Sequence, residues 1–458
     1  MEDLARGVSP PVAVIGGGWA GCAAALTLAD AGVPVALHEA GAVLGGRARR
    51  VERDGLPLDN GQHLLLGAYA QTLALLDRVH GAVDARSRVV RLPLTLVPFA
   101  SSQSNALTLI ARAAPGRLGL LLGLLLARGL PWRERVANIR WFAALERTGF
   151  KRPAHETVAT MLRALPPRVS IQLWEPLCVA ALNTPAATAS AQVFANVLRA
   201  AFAGTPHASD FVLAAQDLSA LFPDAAQRAI VAAGGSVMLG RRAQVISARA
   251  GQAMLAVGDR AVPAAAIIVA VGPHQVTQAL APEFVAAQPA LAAAVDVLQL
   301  LHYESITTVW LGYAERAELS AAIMRLDDAP GQWLVDRPDV LTRATVAAAR
   351  PPLAQMLAAI ISTDGPHLQL PHAELARTID AQLRRLRPDW PRCVWSQVIV
   401  EKRATYACTP DRLRPAAPRL SPGLYLAGDY VDAEFPATLE AAVRSGITAA
   451  QAVLDDRK

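Results

Sequence analysis

Val12-Ala13-Val14-Ile15-Gly16-Gly17-Gly18-Trp19-Ala20-Gly21 is the stretch that decides the fold. Four apolar residues in a row, three of them β-branched, read as a short strand buried on both faces. The glycines that follow have the spacing GxGxxG. Ala23 to Ala31 then reads as a helix closed by Gly32, and Val35-Ala36-Leu37-His38-Glu39 as a second strand ending in an acid. Strand, glycine loop, helix, strand and acid within about 30 residues form a dinucleotide-binding unit. Gly16 permits the tight turn, Gly18 lets a pyrophosphate approach the backbone, and Gly21 lets the helix pack close to the strand. The helix N-terminus presents free N–H groups to the phosphates. Glu39 is placed to accept hydrogen bonds from ribose hydroxyls and to disfavour a 2′-phosphate. This fingerprint alone leaves NAD and FAD open.

The later segments favour FAD. Leu44-Gly45-Gly46-Arg47 puts an arginine beside a flexible glycine pair near the pyrophosphate, and Asp59-Asn60-Gly61-Gln62-His63 follows a hairpin-like segment. Near the C-terminus, Leu424-Tyr425-Leu426-Ala427-Gly428-Asp429 is another buried strand, ending in Gly-Asp ahead of a helix from about Ala437 to Leu454. An acid at such a strand tip can hold ribityl hydroxyls, and the helix N-terminus can face an isoalloxazine ring. The expected fold is therefore α/β, a discontinuous Rossmann-like FAD-binding domain with an inserted α+β substrate domain.

At these residues the sequence resembles the FAD-dependent amine oxidase and carotenoid desaturase superfamily. More narrowly, it is similar to the squalene-associated desaturases known as hydroxysqualene dehydroxylases. That narrower likeness rests on Leu58 to His63, Trp174-Glu175-Pro176-Leu177-Cys178 through Thr184, Gln332-Trp333-Leu334, Glu401-Lys402-Arg403-Ala404-Thr405-Tyr406, and Ala427 to Tyr430 through Thr438. It departs where relatives carry helix-start glycines and this chain has Ala433-Glu434 and Ala441-Ala442. The resemblance implies a bacterial enzyme of hopanoid precursor synthesis that reduces hydroxysqualene to squalene, with reduced FAD as hydride donor. It also implies cofactor contacts from Gly16, Gly18, Gly21, Glu39, Gly46, Arg47, Gly61, Gln62, Gly428, Asp429 and Thr438, with Val245 meeting the adenine through its backbone.

The FAD domain is expected at about 1–95, 224–275 and 398–458, and the substrate domain at about 96–223 and 276–397. Runs such as Ile306-Thr307-Thr308-Val309-Trp310-Leu311 read as strands of the latter.

The 458 residues are 53% hydrophobic, with a mean hydropathy of +0.29, which excludes a disordered chain. No stretch reaches the roughly 18 apolar residues a bilayer span needs. Leu118 to Leu130, flanked by Arg112, Arg117, Arg128, Arg133 and Arg135, is the most membrane-like segment. It reads either as an interfacial helix admitting a lipid or as a packed helix with outward-reaching arginines. Lys151, Lys402 and Lys458 are the only lysines among 44 basic residues, so the net charge of +6 reflects arginine bias rather than a nucleic-acid module. Cys22, Cys178, Cys393 and Cys408 show no metal-ligand spacing, and no metal site is expected. The Met-Glu-Asp start lacks a basic leader, so the expected location is cytoplasmic, with peripheral contact to the inner membrane face.

Losing hydroxide from an allylic alcohol calls for a proton donor. The candidates are His63, Glu175 and Asp432, in that order; Lys402 is a further candidate for cofactor contact and Asn183 for orienting a hydroxyl. There is no second GxGxxG, so electrons must come from an external donor. The expected substrate is a long-chain isoprenoid alcohol. Competing readings are a carotenoid-type desaturase, an amine oxidase using oxygen, and a lipid-binding escort on the same fold.

Overall fold

The computed structural model describes residues 10–100, 107–110, 117–343, 352–415 and 418–458. Its first layer is a six-stranded sheet in the order Ser236–Met238, Val35–His38, Val12–Ile15, Ile267–Val269, Leu424–Leu426, Arg419–Ser421. The first five strands run parallel and the last is antiparallel. Its two central strands, Val12–Ile15 and Ile267–Val269, are buried at every position, as strands covered on both faces must be. Helices Trp19–Asp30 and Leu439–Asp456 cross tightly on one face. A Cβ on Gly446 would come within 2.1 Å of the Ala20 carbonyl oxygen, so the crossing depends on a glycine. Side chains of Val12, Leu26, Leu37, Ile268 and Val443 form the core of this layer.

A five-stranded antiparallel sheet forms the second layer, ordered Ile323–Arg325, Trp333–Asp336, Gln355–Ser362, Tyr303–Tyr313, Trp395–Tyr406. Alternation sorts its residues. Val309, Leu311, Leu357 and Ala359 pack under helix His372–Leu386 through Leu375, Ile379 and Leu383, while Trp310, Trp333, Val335 and Ala358 join the main core on the other side. Helices Trp132–Arg147, Glu175–Leu182 and Ala191–Phe202 add a third group, interlocked by Phe142, Trp174, Phe194 and Phe202. The α/β class with an α+β partner matches the sequence expectation.

The membrane-like segment forms a helix over Arg117–Leu126 and turns at Ala127–Leu130. Arg112 lies outside the described residues. No helix among the described residues is long and apolar enough to cross a membrane.

Candidate active site

The glycine loop is shaped by backbone contacts that side chains would obstruct. Gly16 has φ +105°, and a Cβ there would sit 2.7 Å from the Ala270 carbonyl oxygen. Gly21 seats the helix directly on the loop, since its Cβ would lie 1.8 Å from the Gly16 oxygen. Gly18 differs. Nothing lies closer to its Cβ position than the Gly46 Cα at 3.9 Å, while a Cβ on Gly46 would come within 3.2 Å of the Gly18 Cα, so the two glycine backbones approach closely and leave the cavity side of Gly18 open. Gly18 also caps helix Trp19–Asp30, whose first turn carries no acid, leaving its N–H groups unopposed. Such a cradle fits a pyrophosphate.

Glu39 lies on the wall of the same space. One carboxylate oxygen accepts from the Gly17 N–H and the other from the Gly41 N–H, both at 2.6 Å. It therefore braces the two loops that frame a ribose position, and each oxygen keeps a second lone pair for a hydroxyl.

Arg47 and Asp429 meet, although 382 residues separate them. The guanidinium donates to Asp429 Oδ2 at 2.7 Å and to the Ala404 carbonyl at 2.7 Å. Burial works against the Arg47 charge, and the Asp429 carboxylate outweighs it, holding the group above its usual range. Gly428, at φ +154°, leaves no room for a Cβ, which would meet the Tyr430 ring at 2.3 Å. Thr438 starts the last helix and accepts from the Ala441 N–H at 3.1 Å while facing the cavity.

The loop Asn60 to His63 is held from behind. Asn60 donates to Glu401 Oε2 at 3.1 Å, and the Gln62 N–H donates to Thr308 Oγ1 at 3.1 Å. His63 Nδ1 sits 3.0 Å from the Gly61 carbonyl, which fixes its proton on that nitrogen. Burial pushes the His63 pKa below its usual 6.5, with Arg47 and Arg337 acting in the same direction and Gly61 and Asp59 opposing. The ring is neutral at neutral pH.

Sequence reasoning missed Arg337, which anchors this loop. Its guanidinium donates to Gln62 Oε1 at 2.5 Å, to Asp59 Oδ2 at 3.2 Å and to Asp339 Oδ1 and Oδ2 at 2.8 Å, with its side chain only 3% exposed. Asp336-Arg337-Pro338-Asp339 looks like a solvated turn in sequence; only the fold shows its arginine to be buried.

These parts open onto one cavity of about 1250 Å³. That exceeds the roughly 300–1,000 Å³ of a pocket for one small ligand, which leaves room for a cofactor and a substrate together. Gly16, Gly18, Glu39, Gly46, Arg47, Gly61, Gln62, His63, Lys402, Gly428, Asp429 and Thr438 all line it. Leu64, Leu177, Phe194, Leu198, Phe202 and Ile360 line its apolar part.

Four expectations need correction. Val245 is fully buried away from the cavity, and its carbonyl accepts from the Ala281 N–H at 2.8 Å; Arg242 and Ala243, at the start of the same strand, reach the wall instead. Glu175 stands outside the lining. Leu177, Ala180 and Ala181 present one face of helix Glu175–Leu182 to the cavity, and two residues back from Leu177 is the opposite face. Asp432 is neither a cavity acid nor a solvated one. It is buried, accepts from the Glu434 and Phe435 N–H groups, and pairs with Arg444 at 3.1 Å. Asn183 reaches the cavity wall, but its amide is spent on Ser305, Thr405 and Thr363.

Residues 19–454 match the profile of the flavin-containing amine oxidoreductases. The chain belongs to that family. It is an FAD-dependent oxidoreductase of α/β fold, and the Gly18–Gly46 cradle with Glu39, Arg47 and Asp429 fits that cofactor. It is 27% identical to a hydroxysqualene dehydroxylase of Rhodopseudomonas palustris, over 98% of this chain and 99% of that protein. A second hydroxysqualene dehydroxylase, from Sinorhizobium fredii, is 26% identical over 97% and 98% of the two chains. The fold also matches an oxidoreductase from Methanosarcina mazei with a TM-score of 0.70 at 16% identity, covering 96% of this chain and 100% of that one.

Proposed function

We propose that this chain removes the hydroxyl of hydroxysqualene reductively to give squalene, a step towards hopanoid precursors. The observation that carries the reading is one continuous cavity running from a nucleotide cradle to a chamber walled by aliphatic and aromatic side chains. Whole-length likeness to two proteins named for that reaction supports the choice of substrate.

Gly18, Glu39, Arg47 and Asp429 would hold FAD, which in its reduced form would supply the hydride for the carbon that bears the hydroxyl. The carbon–oxygen bond breaks, a carbon–hydrogen bond forms, and the departing oxygen needs one proton to leave as water. Two electrons per turnover come from an external donor. The chain has three tasks of its own. The apolar chamber binds the hydrocarbon, worth about 25 cal/mol per Å² removed from water. Its walls keep water from the reacting carbon. His63 brings the proton: Nδ1–H is committed to Gly61, so Nε2 is the atom that takes up and passes on a second proton. Lys402, exposed on the wall and without an ion pair among the described residues, places positive charge beside the site.

The test offers the purified, chemically reduced protein three substrates under anaerobic conditions: hydroxysqualene, a carotenoid polyene precursor and a primary amine. Squalene formed from the first alone is expected. Oxidation of the amine on readmitting oxygen, with no squalene, would sink the reading.

A further inference from the structure

Helix Arg117–Leu126 has apolar residues on both its sides. Leu120 and Leu124 are 2% and 1% exposed, whereas Leu118, Leu122, Leu125 and Leu126 are 53%, 42%, 49% and 53% exposed. Spacings of four, seven and eight residues from Leu118 align these four into one stripe. A single exposed leucine is ordinary, but a contiguous stripe marks a surface built to be covered. Trp132 at the start of the next helix, 67% exposed, and Ile110 on the adjoining strand, 48% exposed, extend it.

Charge rims this patch. Residues 117 to 147 contain six arginines against two acids, Glu134 and Glu146. Arg128, Arg133 and Arg140 are exposed, and the Arg133 guanidinium lies 5.8 Å from the Trp132 ring. Arg135 donates to the carbonyls of Leu125 and Leu130, both at 2.9 Å, and so ties the C-terminal end of the leucine helix to the next one.

We infer that this face docks on the surface of an anionic lipid bilayer. Ten helical residues span about 15 Å, half of a hydrocarbon core of about 30 Å, so the helix lies in the interface rather than crossing it. Leucines enter the acyl boundary, Trp132 sits at headgroup level, and the arginines meet lipid phosphates. A second copy of this chain is a poorer occupant, because self-association would bring two arginine rims together. The buried side of the helix shares a core with Phe194, Leu198 and Phe202, which line the apolar chamber. The docking face stands independently of which substrate that chamber takes.

The experiment is flotation of the full-length, FAD-loaded protein with vesicles, without substrate. One set is phosphatidylcholine alone, the other equal parts phosphatidylcholine and phosphatidylglycerol. The protein is expected to float with the anionic set and to bind the neutral set about tenfold more weakly. The double substitution Leu122→Ser, Leu126→Ser lowers binding by about tenfold or more. Arg128→Gln with Arg133→Gln removes the preference for the anionic set. An unchanged FAD absorption spectrum certifies that each variant is folded. Wild-type protein that floats with neither set, or folded leucine variants that bind as well as wild type, would overturn the inference. So would a dimer, seen in sedimentation without vesicles, that the leucine variants dissociate.

Discussion

Replacing Arg337 by Met removes the charge that holds the Asn60–His63 loop while keeping most of the aliphatic bulk. The side chains of Arg337, Asp59 and Asp339 are 3%, 1% and 14% exposed, so the interaction is made almost without water. Wild type has contacts from this guanidinium to two carboxylates and to Gln62. Breaking a buried pair by deleting one partner costs about 3–5 kcal/mol, most of it from a buried carboxylate charge that loses the compensation this guanidinium gave. Individual hydrogen bonds to a charged group are worth about 1.5–3 kcal/mol and do not add. Arg337→Met is therefore expected to lose about 3–5 kcal/mol in urea unfolding, read from the midpoint at unchanged slope. Neutralising the acids as well, with Asp59→Asn and Asp339→Asn, should recover at least half of that loss. The amide oxygen that Asp59→Asn leaves in place can still accept from the Leu218 N–H, as the Asp59 carboxylate does at 2.9 Å. A single variant within about 0.5 kcal/mol of wild type, or a triple variant worse than the single, would refute the assignment of Arg337 as the loop's electrostatic anchor.

The glycine positions separate fold from cofactor. Gly18→Ala, with free space around its Cβ and an ordinary φ of −69°, should leave unfolding unchanged and weaken FAD binding, measured by fluorescence titration. Gly21→Ala drives a methyl into the Gly16 carbonyl and should lower stability and FAD content together. Asp429→Asn removes the partner that stabilises the Arg47 charge and is expected to weaken FAD retention through dialysis. Because burial lowers the His63 pKa below 6.5, the imidazolium is scarce at neutral pH and increases as pH falls. Single-turnover dehydroxylation should accelerate as pH drops below 6.5, and His63→Asn should be slower with that acid limb gone. The same depressed pKa means that folding stability from the neutral ring is lost as pH falls below the unfolded value.

What sequence disclosed was set by range. The βαβ unit was legible because Val12–Ile15, Trp19–Asp30 and Val35–His38 are adjacent in the chain, and because Gly16 and Gly21 answer to contacts within that unit and the neighbouring strand. The Gly428-Asp429 strand tip was legible for the same local reason. Pairings across hundreds of residues were not. Nothing near Arg47 announces that it will meet Asp429, or near Asp59 that Arg337 will cover it. Helix phase misled at Glu175, where Trp174 and Pro176 offer no periodicity to show which side faces the cavity. Strand register misled at Val245: the strand bulges between Val245 and Ser247, and only its first residues reach the cavity rim. Leu118–Leu126 was legible as apolar, but which leucines stay uncovered is a property of packing alone.

The central claim, an FAD enzyme that reduces a long isoprenoid alcohol, is tested most directly by an anaerobic single turnover. The protein, its FAD reduced in D2O so that the exchangeable N5 position carries deuterium, is mixed with hydroxysqualene in the same solvent while the visible absorbance of oxidised FAD is followed. Reoxidation is expected, matched one-for-one by squalene carrying one deuterium at the carbon that lost its hydroxyl. FAD that stays reduced with hydroxysqualene intact, or squalene without the deuterium, would contradict it.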